Sequence, residues 1–463
     1  MDADDKRLER ALTDEILDRV RKIAELRQKP QTFVPGSTPI RYAGRVYDAE
    51  DMTALAESAV EFWLTGGRWH RRLEDDLAKW YGVHEVRIVN SGSSANLIAA
   101  AALTSHEWGE RRIKRGDEII TVAAGFPTTV VPFLQLGIVP VFVDITAPSY
   151  NIDVTRLEAA RSARTRAVAV AHTLGNPFDL EAVVAFCRKH DLWLLEDNCD
   201  AAGSLYAGRK TGTFGDVATL SFYPPHHMTT GEGGAVLCSS HEMTRVVESL
   251  RDWGRDCWCQ PGVDNTCGKR FAWQLGDLPA GYDHKYTYSH LGYNLKMTDM
   301  QASVGVTQLR KLDGFVAARR DNWRFYRDAL DDLGDVLLLP EATPNSEPSW
   351  FGFMMMVRED APVSRDEIVR HLESRKIQTR MLFAGNLTRQ PALTTLVADC
   401  RSEGRPAPYR VSGDLKVTDA VMSRGFWIGV YPGLTAEMRA FVASELRAVV
   451  RSTAGSGTMS RSQ

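Results

Sequence analysis

From residue 85 onward, short apolar runs alternate with stretches of helical periodicity. VRIVN (86–90), EIITVA (118–123), VPVFVDI (139–145), RAVAVAHTL (166–174), WLLED (193–197), VATLSFYP (217–224) and GAVLCS (234–239) read as strands. Segments 95–103, 155–161, 180–190 and 241–253 between them read as helices. Strands that are apolar throughout need cover on both faces, and the intervening helices supply it. The pattern therefore predicts an α/β domain built on a mainly parallel, buried sheet. Upstream, Leu8, Leu12, Ile16, Val20 and Ile23 recur near helical spacing and predict an amphipathic helix over 6–29, ended by Pro30. Downstream, 254–290 is irregular and rich in Cys, Trp, Gly and Asp. A helical stretch (298–333) follows, then a smaller α+β region with a strand at 350–357 and helices near 364–375 and 436–451. The small, polar end, 453–463, is expected to be disordered. The predicted divisions are an N-terminal helix and arm (1–40), a large domain (41–330), a small C-terminal domain (331–452) and the tail.

Composition narrows the function more than the fold. The 463 residues carry 56 Lys+Arg against 59 Asp+Glu, a net charge of −3, with 44% hydrophobic and 25% charged residues. These are globular values, and the charge balance gives no expectation of nucleic acid or a membrane surface as partner. The charged start MDADDKRLER is unlike a signal peptide and no apolar run reaches 18 residues, so a cytoplasmic protein is expected. Seven cysteines, an odd number, argue against a disulfide framework and leave core thiols or a metal site.

Ligands of open α/β sheets sit beyond the carboxyl ends of the strands. After VRIVN comes Ser91-Gly92-Ser93-Ser94-Ala95-Asn96, leading into an apolar helix. It reads either as a helix cap or as a phosphate cup, since a helix N-terminus offers free N–H groups. After WLLE come Asp197, Asn198, Cys199 and Asp200. A carboxylate fixed there either holds a protonated heteroaromatic nitrogen or belongs to a surface turn. The third strand end is Ser221-Phe222-Tyr223-Pro224-Pro225-His226-His227-Met228-Thr229-Thr230-Gly231-Glu232-Gly233-Gly234.

Asp197, Ser221 and the Thr-Gly-Glu-Gly-Gly run resemble the sugar aminotransferase (DegT/DnrJ/EryC1/StrS) family of pyridoxal phosphate (PLP) enzymes. So do Gly-Asp-Glu-Ile-Ile (116–120), Phe126-Pro127-Thr128-Thr129, Val-Phe-Val-Asp (141–144) and Gly292-Tyr293-Asn294-Leu295-Lys296-Met297. The resemblance spans about residues 40–450 in consistent order and implies the aspartate aminotransferase fold (fold type I). It implies a phosphate site at Ser93, Ser94 and Ser221, a partner for the pyridine nitrogen in Asp197, and a ring-stacking residue in Phe126. Asp200 falls near the ring oxygen, and Asn294 reaches the phosphate of a neighbouring subunit, hence a homodimer. Glu232 shapes a turn, and Arg380 is a candidate for a substrate diphosphate.

The sequence departs from that family where aminotransferases carry the Schiff-base lysine, four residues before the TTGEGG-like run. His226 stands there. Pyridoxamine phosphate (PMP), which brings its own amine, is the coenzyme that still suits the site. An imidazole titrating near neutrality suits transfer of the C4′ proton.

Cys199, Cys257, Cys259 and Cys267 form C-x57-C-x-C-x7-C. By spacing alone, a cluster, a zinc site and free thiols remain open. The spacing is similar to that of the iron–sulfur, PMP-dependent sugar C-3 dehydrases, a branch that also has histidine for lysine. That resemblance implies a [2Fe–2S] cluster on the four thiolates, beside the coenzyme ring. Its electrons would come from a separate flavin reductase, ferredoxin or flavodoxin. The reaction implied is removal of the C-3 hydroxyl from a nucleotide-linked 4-keto-6-deoxyhexose, with His226 as proton-transfer base. Alternatives are a cluster-free 3-dehydratase, a sugar aminotransferase and a catalytically inactive binding subunit. Cys187, Cys238 and Cys400 are read as structural.

Overall fold

The computed structural model describes residues 1–29, 32–259 and 262–456. In chain order its strands are β1 (Glu85–Val89), β2 (Glu118–Val122), β3 (Val139–Val143), β4 (Thr165–Ala171), β5 (Trp193–Asp197), β6 (Leu205–Tyr206), β7 (Arg209–Lys210), β8 (Val217–Ser221), β9 (Gly234–Cys238), β10 (Leu337–Leu338), β11 (Ser346–Glu347), β12 (Gly352–Val357), β13 (Thr379–Arg380), β14 (Arg410–Val411) and β15 (Gly425–Gly429). Each of the seven apolar runs contains a strand. The longest two overshoot at their carboxyl ends, where the chain bends into loops that line the site.

The large sheet runs in the order β1-β9-β8-β5-β4-β2-β3-β14. It is parallel from β8 through β14 and antiparallel at β9 and β1. Both faces are buried, as the unbroken apolar runs require. Along β4, Val168 and Val170 enter one core with Phe178 and Val183. Ala167 and Ala169 enter the other with Ile98 and Phe133, the alternation that a strand imposes.

A second, antiparallel sheet, β10-β12-β15-β13, carries the helices Arg365–Ser374 and Ala436–Ser456 and its own core around Phe353, Phe426 and Leu446. The helix Asp299–Ala329 joins the two regions, burying Val306 in the first and Tyr326 in the second. The division near residue 330 separates the sheets but not all of their chain. β14 returns to pair with β3, and Leu387 and Leu393 pack on Ala123, Val130 and Phe142.

Residues 41–84, given no element from sequence, hold the helices Ala49–Glu61 and Arg68–Tyr81, the latter burying Trp69, Leu73, Leu77 and Tyr81. The N-terminal helix is Ala3–Arg27, capped by Gln28; of it only Ala24 is buried, while Leu8, Leu12, Ile16 and Ile23 stay exposed. Pro30, expected to end it, lies outside the described residues. The last helix continues to Ser456, past the point where a disordered tail was expected to begin, and 457–463 lie outside the described residues.

Candidate functional site

A cavity of about 300 Å³ opens at the carboxyl ends of β5 and β8. Asp197, the last residue of β5, forms its floor and is only 4% exposed. Its Oδ2 accepts from Asn96 Nδ2 at 2.9 Å and from Thr129 Oγ1 at 2.7 Å, and its Oδ1 from the Cys199 N–H at 3.2 Å. Asn96 is itself oriented, since its Oδ1 accepts from Thr219 Oγ1 at 2.8 Å. A buried carboxylate with this many donors is fixed in place and still faces the cavity.

The helix Gly92–Ala102 points its N-terminus at the same space. Ser91 caps it, accepting from the Ser94 N–H at 3.0 Å. Ser93 and Ser221 line the cavity, and Ser94 lies one residue deeper in the helix. Gly92 is required here: a Cβ would stand 2.5 Å from that of Ser221. Ser91 is therefore the cap, and the N–H groups that follow it face the cavity, where a helix N-terminus favours an anion.

The loop from Phe222 to Gly233 is closed by main-chain bonds between Phe222 and Gly233 and between Thr230 and Phe222. Within it the two histidines part. His227 is buried and donates from Nε2 to the Ser349 carbonyl at 2.5 Å; burial, then the Arg319 charge, pushes its pKa well below the usual imidazole range. His226 lines the cavity, with Nδ1 3.3 Å from Asp200 Oδ1 and its ring 5.2 Å from that of Phe351. Among the described residues neither His226 Nδ1 nor Asp200 Oδ2 has a hydrogen-bond partner, although both atoms are buried. Arg319, fully buried, holds the backbone beneath them, donating to the carbonyls of Pro225 (3.2 Å), His226 (3.1 Å) and Trp350 (3.2 Å). Glu232 is exposed in the turn, and its carbonyl accepts from Thr230 and Gln301.

The C-terminal region closes the cavity with Phe351, Met381, Phe383 and Trp427. Phe126 stands at the mouth, edge-on to Phe383 at 6.2 Å. Arg380 lies over the Tyr42 ring at 3.8 Å and also lines the cavity. Sequence reading had named Phe126 and Arg380 but missed Tyr42, Phe351, Trp427, Thr129 and Arg319. Asn96 and Thr129 lay inside motifs already singled out, whereas the aromatic wall had no local signal. Asn294 is exposed and does not line this cavity.

The chemistry of this lining fits PMP. A helix N-terminus, a buried carboxylate and the unsatisfied His226 Nδ1 and Asp200 Oδ2 share one space of suitable size.

The four cysteines of the C-x57-C-x-C-x7-C pattern line two cavities. Cys257, Cys259 and Cys267 share a small cavity on the 254–290 loop. Cys199 is not with them. It lines the main cavity, its Sγ 3.9 Å from Thr219 Oγ1, and burial followed by Asp197 raises its thiol pKa well above the ordinary value. Among the described residues no three of these four sulfurs lie within 4.8 Å of one another. Residues in the C-x57-C spacing were read as one site, but β5 and the loop direct them to different cavities. Cys187, Cys238 and Cys400 are buried, as expected of structural thiols.

A model of the DegT/DnrJ/EryC1/StrS aminotransferase family matches residues 46–447. The chain is 52% identical over 433 residues to the dTDP-4-dehydro-2,6-dideoxy-D-glucose 3-dehydratase of Saccharopolyspora spinosa, covering 94% of this chain and 91% of the relative. It is 50% identical over 434 residues to the lipopolysaccharide biosynthesis protein RfbH of Salmonella typhimurium, covering 94% and 97%. Among solved structures, the E. coli GDP-4-keto-6-deoxy-D-mannose-3-dehydratase with bound hydrated PLP matches with a TM-score of 0.78 at 28% identity, over 88% of this chain and 99% of that one. The architecture is the PLP-dependent aminotransferase-like one that the motifs implied.

Proposed function

The chain belongs to the DegT/DnrJ/EryC1/StrS aminotransferase family, and on that premise we propose that it is a PMP-dependent 3-dehydratase of a nucleotide-linked 4-keto-6-deoxyhexose. One observation carries the reading. His226 stands at the Schiff-base position, and among the described residues no lysine lines the cavity. A covalent anchor for the aldehyde form of the coenzyme is missing, and PMP needs none. The S. spinosa relative, named for C-3 dehydration of such a sugar, supports the same assignment.

The side chains divide the work. The N-terminus of Gly92–Ala102, with Ser93, Ser94 and Ser221, takes the phosphate. Asp197 bonds the pyridine nitrogen, Phe126 covers the ring and Asp200 stands beside the ring oxygen. When bound, PMP supplies an amine for the C-4 ketone and a ring that takes up electron density. His226, with Nδ1 turned to Asp200, presents Nε2 and moves the C4′ proton. Arg380 meets the diphosphate at the mouth, and Phe351, Phe383 and Trp427 keep water from the reacting carbons.

The reading extends to an iron–sulfur centre, [2Fe–2S], on the thiolates of Cys199, Cys257, Cys259 and Cys267, and to a flavin reductase, ferredoxin or flavodoxin as electron donor. It also includes a homodimer in which Asn294, exposed on its own chain, reaches the neighbouring phosphate. A cytoplasmic location fits these partners; among the described residues no helix is long and apolar enough to cross a membrane.

His226→Ala should slow solvent exchange of the PMP C4′ proton, followed by NMR with substrate present, by about 10²–10⁴-fold. An unchanged rate would remove the role. His226→Lys should gain the absorption of lysine-bound PLP and transaminate. Iron and sulfide analysis of anaerobic protein separates this reading from a cluster-free dehydratase.

A further inference from the structure

The edge strand β1 begins at Glu85, whose cross-strand partner on β9 is Cys238. Two residues past that partner the chain turns, and Ser240 caps the helix His241–Arg251, accepting from the Met243 N–H at 3.2 Å. The turn brings His241 to Glu85, and His84 stands next to Glu85 in the chain. β1 runs in the direction of β8, since each is antiparallel to β9. This corner lies at the amino end of β1, away from the carboxyl ends that hold the coenzyme cavity.

One donor atom from each of His84, Glu85 and His241 lies within 4.8 Å of the other two. Among the described residues this is the one group of three or more His, Cys, Asp or Glu donors so placed. Glu85 Oε1 is 3.6 Å from His84 Nε2 and 3.9 Å from His241 Nδ1. Both distances exceed hydrogen-bond length, so the three groups converge without satisfying one another. Glu85 is held from behind. Its Oε2 pairs with Arg87 at 2.6 Å, and Arg87 donates through Nε and Nη2 to Glu248 Oε2 at 3.1 and 3.0 Å. Oε1 is left as the oxygen nearest both imidazoles. A carboxylate oriented by an outer partner in this way is prepared as a metal ligand.

We propose that His84, Glu85 and His241 form a surface site for a divalent transition-metal ion, zinc above all. Two imidazoles and a carboxylate suit zinc and its first-row neighbours, whereas calcium and magnesium select oxygen ligands. With metal–ligand lengths of about 2.1 Å, tetrahedral ligands stand about 3.4 Å apart. The His84 and His241 side chains, 43% and 64% exposed, can close the remaining few tenths of an ångström without disturbing the core. Glu242 interacts electrostatically with both imidazoles and offsets the positive end of its helix. The fourth position stays open to water. Glu85 and His241 also line a cleft of about 830 Å³ with Trp63, Arg245 and Trp258, so the ion stands at its rim. Because the three ligands meet only in the folded chain, the ion clips the edge strand to the helix and stabilises the fold.

The full chain, treated with a chelator to remove loosely held metal, is titrated with Co2+ alone and followed by visible absorption. Wild type should gain the d–d bands of nitrogen and oxygen ligation. Cobalt on the thiols of the 254–290 loop would give a sulfur charge-transfer band instead. His84→Ala, His241→Ala and the isosteric Glu85→Gln should each bind at least about 10-fold more weakly, the least that losing even an outer partner costs. Zn2+ should displace the cobalt and raise Tm in wild type, and the double variant His84→Ala/His241→Ala should lose that rise. His106→Ala, which changes an exposed histidine outside the group, should behave as wild type. Wild type that takes up no cobalt, cobalt found on sulfur alone, or nitrogen–oxygen bands that persist in the double variant each overturns the site.

Discussion

Arg319 shows how much one buried residue governs the site. It spends its charge on three carbonyls, two of them in the segment that presents His226. With no carboxylate hydrogen-bonded to it, burial pushes its pKa below the usual guanidinium range. Arg319→Met should leave those carbonyls unpaired, lower stability by roughly 1–3 kcal/mol and slow C4′ exchange, while PMP affinity, assigned in the proposed function to Asp197 and the helix N-terminus, should stay near that of wild type. Equilibrium dialysis and exchange NMR on one sample would check the split; an equal loss in both would make Arg319 a general scaffold residue. Asp197, Ser221 and His226 could be found from sequence because each sits at or just past a strand end, where such sheets place ligands. Arg319 could not, because in a helix with many arginines nothing local marks the one that faces inward.

At the scale of elements, the two-residue strand β14 ties the C-terminal region to the large sheet. Its Arg410 bonds the buried Glu118 of β2 at 2.8 and 3.1 Å, and Arg164 and Ser162 add donors at 2.8 and 2.7 Å. Burial alone would raise the Glu118 pKa; Arg410, Ser162 and Arg164 outweigh it and hold it at about 2. Because the folded value is depressed, the ionised form favours the folded state. Its contribution is fully present above the ordinary carboxyl range and is lost as pH falls toward 2. Glu118→Gln should therefore cost roughly 1–3 kcal/mol at pH 7, and the gap from wild type should close progressively below pH ~4.5. Urea melts at several pH values test this, and a gap that persisted at the lowest pH would assign the effect to packing. Strands buried on both faces announce themselves as apolar runs. A two-residue strand has no period to read, so β13 and β14 appear only when their partners are in place.

For the whole molecule, the coenzyme cavity lies between the two regions, walled by β5 and β8 on one side and by Phe351, Phe383 and Trp427 on the other. A ligand that binds only this closed arrangement stabilises both. PMP at about 100 times its dissociation constant should add about 2.7 kcal/mol to unfolding, visible as a rise in Tm that Asp197→Ala abolishes. The sequence by itself determined the alternation that builds the large sheet, the polar residues at its strand ends and the exchange of lysine for His226. All of these are local, because a strand, its terminal turn and a residue type are written in consecutive positions. Only the tertiary structure decided which arginine holds the His226 segment and which cavities the thiols line, Cys199 at the main one and Cys257, Cys259 and Cys267 at a smaller one with His284. Those outcomes depend on where separate segments meet, and such meetings are fixed by burial and hydrogen bonding across tens to hundreds of residues rather than by spacing along the chain.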